Sequence, residues 1–170
     1  MKSYIFIILI VLGAYHSAAQ EHKNEHSQNF VGLFVGNTFI AQSGFQIPTI
    51  GIEYIREIAP NIGVGIVAEY EFGSHIVEKN EGGNVISEVE REGVILILPS
   101  AFFKIYKGLI LTVGYGVEFE RHGNLAMSKV GLEYKFQMHN PNWIILPSVS
   151  WDHNKLFDGP VYGATLGYKF

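Results

Sequence analysis

Apolar and polar residues alternate along most of this chain. The last ten residues, 161–170, place large apolar side chains on one face and small or polar ones on the other. An alternation with a period of two predicts a β-strand with two different faces. The pattern recurs upstream and predicts eight strands, at roughly residues 29–39, 47–57, 61–73, 92–106, 109–121, 125–137, 142–152 and 160–170.

The predicted connections alternate between short and long. The short ones contain Pro, Gly and Asn residues typical of turns, and they cover 58–61, 106–108 and 139–142. The other connections cover 41–45, 73–91, 121–124 and 153–159. Short turns at one end and longer loops at the other are typical of transmembrane β-barrels, and an even number of strands places both termini on the periplasmic side.

The two strand faces differ in bulk, and this difference indicates which face points inward. One face is rich in aromatic and branched residues, whereas the other carries glycines, glutamates and lysines. A soluble barrel with a ligand-binding calyx would enclose the apolar face. An eight-stranded barrel, however, has room only for its own inward side chains or one small ligand. We therefore expect the apolar face to point outward into hydrocarbon. The first strand is largely apolar or glycine in both phases, so its phase stays open.

The N-terminus has the order of a secretory signal peptide. Lys2 precedes a compact apolar stretch at 4–14, and small residues follow at 17–19. The alternative is an N-terminal membrane anchor, but a spanning helix needs about 20 apolar residues. We predict a cleaved signal peptide at 1–19, a short periplasmic segment at 20–28 and an outer-membrane barrel at 29–170.

Aromatic residues on the apolar face cluster near the strand ends. Tyr and Trp are enriched at membrane–water interfaces, and transmembrane barrels carry aromatic girdles at both rims. We predict two girdles. The predicted girdle residues are Tyr54, Phe103, Phe136, Trp143, Tyr168 and Phe170 at the periplasmic rim, and Phe72, Phe119, Trp151 and Tyr162 at the outer rim.

The opposite face carries charged residues of both signs. In a narrow barrel we expect them to pair and to plug the lumen, because an unpaired buried charge is costly. A cation-selective pore lined by acids is the alternative. The predicted lumen residues are Glu53, Glu69, Glu71, Glu118, Glu120, Glu133, Lys104, Lys129, Lys135 and Lys169. The chain's net charge of −4 argues against a nucleic-acid partner, which normally requires a basic face.

These features resemble those of the small eight-stranded outer-membrane barrels, such as OmpX and the membrane domain of OmpA. The resemblance extends from about residue 29 to the terminal Tyr168-Lys169-Phe170. It implies an all-β fold, an eight-stranded antiparallel up-and-down transmembrane β-barrel. It also implies that the barrel-assembly machinery reads the C-terminal strand. The assembly signal usually has a glycine where this chain has Thr165, so that match is incomplete.

The resemblance favours a structural, adhesive or partner-binding role through extracellular loops, without enzyme chemistry or a cofactor. The 73–91 region keeps a strand-like alternation, so strands three and four are predicted to project from the membrane. Such a flap would recognise an extracellular protein by edge pairing. The equal alternative is a solvated acidic loop.

Three further interpretations of the sequence concern its function. A narrow pore for small solutes would use the charged lumen. A lipid-modifying enzyme would use His75, His122 and His153 with Ser74 and Asp152, although no fixed spacing unites them. His22 and His26 are potential metal ligands without a second ligand cluster, so we predict no metal site.

Two prolines interrupt the predicted strands. Pro99 and Pro147 occur in similar apolar contexts inside strands four and seven. Since proline lacks an N–H, each one removes a ladder hydrogen bond or marks a bulge. We expect local bulges that bend the barrel wall, and a lateral opening is the functional alternative.

Overall fold

A computed structural model describes residues 29–40, 44–81, 84–120, 123–155 and 158–170, with the backbone alone for 74–92. The predicted signal peptide at 1–19 and the segment at 20–28, including His22 and His26, lie outside the described residues. No helix in the described ranges has the length and apolar character needed to cross a membrane.

The chain folds into a closed antiparallel barrel, which confirms the predicted fold class. β1 pairs with both β2 and β9, and the pairing of β6 with β8 completes the ring. The backbone of Phe170 exchanges hydrogen bonds of 2.9 and 3.0 Å with that of Asn29, beside the β1–β9 seam. The strands are β1 (Asn29–Ile40), β2 (Phe45–Ala59), β3 (Ile62–Glu81), β4 (Asn84–Tyr106), β5 (Leu109–Glu120), β6 (Gly123–Tyr134), β7 (Phe136–Gln137), β8 (Trp143–His153) and β9 (Asp158–Lys169).

β6 and β7 are two parts of one barrel strand, so the barrel has eight. Both pair with β8 in the same register, and only Lys135 separates them. The interruption adjoins the position opposite Pro147, whose missing N–H removes a donor from this ladder. The end of the barrel that carries the connections at 60–61, 107–108 and 138–142, with Asn29 and Phe170, is called the turn end below. The opposite end is called the loop end.

The bulges predicted at the two prolines were wrong. Pro99 pairs with Ile66, and Pro147 pairs with Ala164, and neither ladder has a register shift at its proline. On the other side of β4, the pairing with β5 is interrupted between Ile97 and Ser100 and then resumes in the same register. Each proline therefore removes local ladder contacts and leaves the strand alignment unchanged.

Inward and outward positions alternate as the volume argument requires, and β1 now has a defined phase. Its even-numbered residues from Phe30 to Ile40 face the lumen, while Val31, Leu33 and Val35 are exposed outside. The lumen is also more apolar than predicted. Inward-facing apolar side chains form a buried core that includes Ile55, Val67, Val94, Leu96, Leu98, Phe102, Ile110, Met127, Ile144 and Leu146.

Inward glycines make room for two aromatic rings of β1. Gly36 pairs with Gly163 across the β1–β9 ladder. A Cβ atom added to Gly163 would lie 2.6 Å from Cε2 of Phe34 and 2.7 Å from the Cα of Gly36. Phe30 covers Gly167 in the same way. The barrel therefore packs large β1 rings against a glycine-lined wall, as aromatic residues do beside glycines in curved sheets.

Candidate functional site

The outward-facing side chains of the barrel strands form a continuous apolar surface, called the outward belt. Leu33, Ile52 and Val149 lie at its middle and are 54%, 59% and 52% exposed. In the described strands, the charged outward positions are confined to the two ends of the barrel, outside the 74–92 ribbon. Arg56 lies at the turn end, and His153 and Asp158 lie at the loop end.

Aromatic side chains occupy the rims of this belt. All ten predicted girdle residues lie at outward positions, with Phe103 and Tyr168 partly buried by neighbours. At the turn end, the rings of Trp143 and Tyr168 meet edge to face at 5.3 Å, and the Tyr54 hydroxyl donates to Asn29 at 2.8 Å. Tyr115 differs from the girdle residues because it is exposed at mid-strand.

Lys129 is the centre of the charged lumen. Its ammonium lies 2.5 and 2.7 Å from the two carboxylate oxygens of Glu69 and 3.4 Å from Asp152. All three residues are buried. Lys129 and Glu69 were predicted lumen residues, whereas Asp152, at the end of the predicted strand 142–152, was not among them. Its inward phase, shared with Ser148 and Ser150, is the sequence signal that would have identified it.

Neutral polar residues complete this network. Thr112 donates to Glu133 at 2.5 Å, and Asn154 donates to Glu118 at 2.7 Å. Sequence reasoning missed both donors. A small cavity of about 40 Å³ lies beside this group, and Glu53, Glu69, Lys129 and Glu133 are among the residues that line it. Glu71 and Glu120 also face the lumen, nearer the loop end.

The remaining three predicted lysines lie apart from Lys129, at the turn end. Lys104 and Lys169 both contact Oε1 of Glu57, at 3.0 and 2.9 Å. These three residues and Lys135 line one cavity with a volume of about 50 Å³. Glu57 was not a predicted lumen residue. The inward charges therefore form two separate groups rather than one network.

The described part of the lumen contains packed side chains between these two groups. Four buried apolar side chains line the cavity of the turn end together with its lysines: Phe30, Ile55, Phe102 and Ile144. The cavities of about 40 and 50 Å³ each have room for a few water molecules at most. This arrangement has the geometry of a plugged barrel.

The structure does not assemble the residues of the enzyme hypothesis. His153 and Asp152 are neighbours in β8, so their side chains point to opposite faces of the wall. His153 is exposed and lies 2.5 Å from Asp158, while Asp152 is buried beside Lys129. His122 and the side chains of Ser74 and His75 lie outside the described residues. No group of three or more potential metal ligands occurs among the described side chains.

β3 and β4 extend beyond the barrel as a two-stranded ribbon, called the loop-end ribbon (74–81 and 84–92). Its pairing runs from Ser74 and Glu92 to Glu81 and Asn84, whereas β2 and β5 end their pairing near Glu71 and Ile95. Gly73 and Gly93 have φ angles of 124° and 59° where the ribbon leaves the wall, and the register shifts there. The backbone thus supports a projecting hairpin in place of an irregular loop.

Comparisons with protein-family models and with curated proteins found no match. Solved structures are similar in fold. Ail, the attachment invasion locus protein of Yersinia pestis, has a TM-score of 0.51 and 12% identity over 85% of this chain and 99% of that one. Its structure in a phospholipid bilayer nanodisc gives 0.53 and 13%, with the same coverage. The outer membrane protein OprG from Pseudomonas aeruginosa gives 0.50 and 13%, over 88% and 99%. The chain therefore has the fold of the small outer-membrane β-barrels.

Proposed function

We propose that this protein is an integral outer-membrane barrel that is plugged and presents the loop-end ribbon to an extracellular partner. The observation that carries the proposal is the outward belt, whose middle has no charge in the described strands and whose rims are aromatic. In water, an exposed apolar surface of this extent would favour aggregation. In a bilayer the same surface contacts the lipid acyl chains, while the closed ladder of strands satisfies the hydrogen-bonding groups of the backbone.

Membrane residence is tested by fractionation and by electrophoresis. We expect the full chain to be recovered with outer membranes when it is expressed in a Gram-negative host. The folded barrel should migrate differently on a gel before and after boiling. Recovery in the soluble fraction, with no change in migration on boiling, would contradict the proposal.

The turn end is proposed to face the periplasm and the ribbon to face outside. The sequence contains no cysteine, so single-cysteine variants report orientation without background. We expect a membrane-impermeant maleimide to label Lys155→Cys on intact cells and to label Asn140→Cys only after cell lysis. The reverse pattern would invert the proposed orientation while leaving the barrel intact.

A plugged lumen predicts that the barrel does not conduct ions. The buried contacts of Lys129 with Glu69 and Asp152, together with the apolar side chains above the turn end, support this part of the proposal. Single-channel recording in planar bilayers should show no conductance steps at neutral pH. Regular steps from folded protein, absent in a preparation without the barrel, would identify a pore.

The ribbon is proposed to bind its partner by adding a strand. Beyond the barrel, each of its two strands has one edge that pairs with no other strand of the described residues, and such edges are used in β-augmentation. Ail, a protein of similar fold, is named for attachment, which supports an adhesive role here.

The test of this role is a shortened protein that lacks 74–92, with Gly73 joined to Gly93. It should still fold as a barrel, as judged by its gel migration, and should lose attachment of whole cells to a host-cell monolayer. A variant with Lys155→Gln at the same end serves as the matched control. Full attachment by the shortened protein would refute the role of the ribbon.

A further inference from the structure

Among the described residues, the turn end carries more positive charge than its one inward carboxylate, that of Glu57, can balance. Lys104 and Lys169 share the same oxygen of Glu57, at 3.0 and 2.9 Å. Lys135 is partly buried beside them, and no described carboxylate lies within ion-pair distance of its ammonium. Three inward lysines thus surround one glutamate at this mouth of the barrel.

A fourth lysine extends the positive group to the surface. Lys107 lies in the turn between β4 and β5 with a φ angle of 30°, and its ammonium is 5.4 Å from the centre of the Tyr106 ring. A depression of about 510 Å³ opens at this turn, and Lys104, Lys107 and Lys135 line it. The depression adjoins the smaller internal cavity, because Lys104, Ile110 and Lys135 line both.

We propose that Lys104, Lys107, Lys135 and Lys169 form a binding site for a phosphate group at the turn end. Each ammonium offers three donors, and lysine binds phosphate as a compact point charge. A phosphate matches the excess of positive charge and presents several acceptor oxygens to the three lysines that line the depression, while Lys169 lies at the adjoining cavity beside Lys104. The group can come from free phosphate or from the headgroup of an anionic phospholipid, and both sources supply the same chemistry.

Free phosphate is tested with the full barrel folded in a detergent whose headgroup contains no phosphate. Inorganic phosphate is added, and sodium chloride of equal ionic strength is the reference. We expect saturable NMR shifts of the backbone amides of Lys107 and Gly108. The lipid source is tested by native mass spectrometry, which should show retention of phosphatidylglycerol over phosphatidylcholine.

Substitutions of the lysines and of Glu57 should change the affinity for phosphate in opposite directions. Lys107→Gln and Lys135→Gln should each weaken binding about fivefold, because one basic residue near an anionic group contributes about 1 kcal/mol. Glu57→Gln should tighten binding by a similar factor, since it removes the competing carboxylate. A purely structural role for Glu57 does not predict tighter binding. Lys155→Gln, at the loop end, should have no effect.

The outcomes separate this site from the proposed function. Saturable phosphate shifts identify a site open to free anions, and lipid retention without such shifts identifies a headgroup site. The absence of both would overturn the anion site, as would equal weakening by Lys155→Gln. The membrane and ribbon proposals would survive that result, because the fractionation and attachment experiments test them separately.

Discussion

Replacement of Lys129 by methionine should strongly destabilise the barrel. The ammonium of Lys129 is buried against both oxygens of Glu69, at 2.5 and 2.7 Å, and lies 3.4 Å from Asp152. Methionine fills much of the same volume but leaves these carboxylates without their cation. Removal of one partner from a buried ion pair typically costs about 3–5 kcal/mol, because the other charge stays buried. We expect a loss of that size in the free energy of unfolding.

The assay is equilibrium urea unfolding of the barrel in phospholipid vesicles at neutral pH. The only tryptophans, Trp143 and Trp151, both lie on the outward belt, so their fluorescence reports the transition. Lys155→Met, an exposed substitution at the loop end, is the matched control and should change the free energy by less than about 0.5 kcal/mol.

A double-mutant cycle isolates the pair. Glu69→Gln combined with Lys129→Met removes both charges, so the double variant should be more stable than Lys129→Met alone. A cost below about 1 kcal/mol for Lys129→Met, with an unchanged dependence on urea, would refute the assignment of Lys129 as the buried counter-charge of the lumen.

Two further predictions concern the β1–β9 seam. Gly163→Ala should cost about 1–3 kcal/mol of unfolding free energy through overpacking against the backbone oxygen of Val35 and the ring of Phe34. Ala164→Val, on the outward side of the same strand, should change it little, and equal effects in urea unfolding would argue against the glycine-lined wall. Phe170→Ala should lower the amount of assembled barrel in outer membranes without preventing refolding into vesicles, because the resemblance implies that the assembly machinery reads the C-terminal strand, predicted at 160–170. Phe136→Ala is its internal control, and equal loss of assembled protein in both variants would contradict a special role for Phe170.

Strand periodicity predicted the number of strands and separated the two faces of most of them. Each barrel strand after β1 shows a clear difference between its two faces in at least part of its length, and volume then decides which face points outward. β1 could not be oriented because it is apolar or glycine in both phases, and the rings of Phe30 and Phe34 are accommodated by Gly167 and Gly163 of β9. That complementarity depends on pairing between the two ends of the chain, which a single-strand pattern does not contain.

The lumen was predicted less completely because its inward side chains are charged at some levels of the barrel and apolar at others. In β4, residues 94–98 are apolar on both faces, so alternation could not reveal that Leu96 and Leu98 point inward. Asp152, the last residue of the predicted strand 142–152, was not counted among the lumen residues. The expected proline bulges failed for a different reason, since a ladder can lose one N–H donor and keep its register.

The central claim is that the outward belt lies in hydrocarbon. Arginine placed at two depths of β2 tests it most directly. Ile52 pairs with Leu33 and Ala68 at mid-strand, whereas Ile58 lies at the turn end, and both are more than half exposed in the isolated barrel. We predict that, in vesicles, Ile52→Arg lowers the free energy of unfolding by about 2–4 kcal/mol, whereas Ile58→Arg lowers it by about 0–1 kcal/mol. Equal, small costs at both positions would contradict the claim and would place this surface in water.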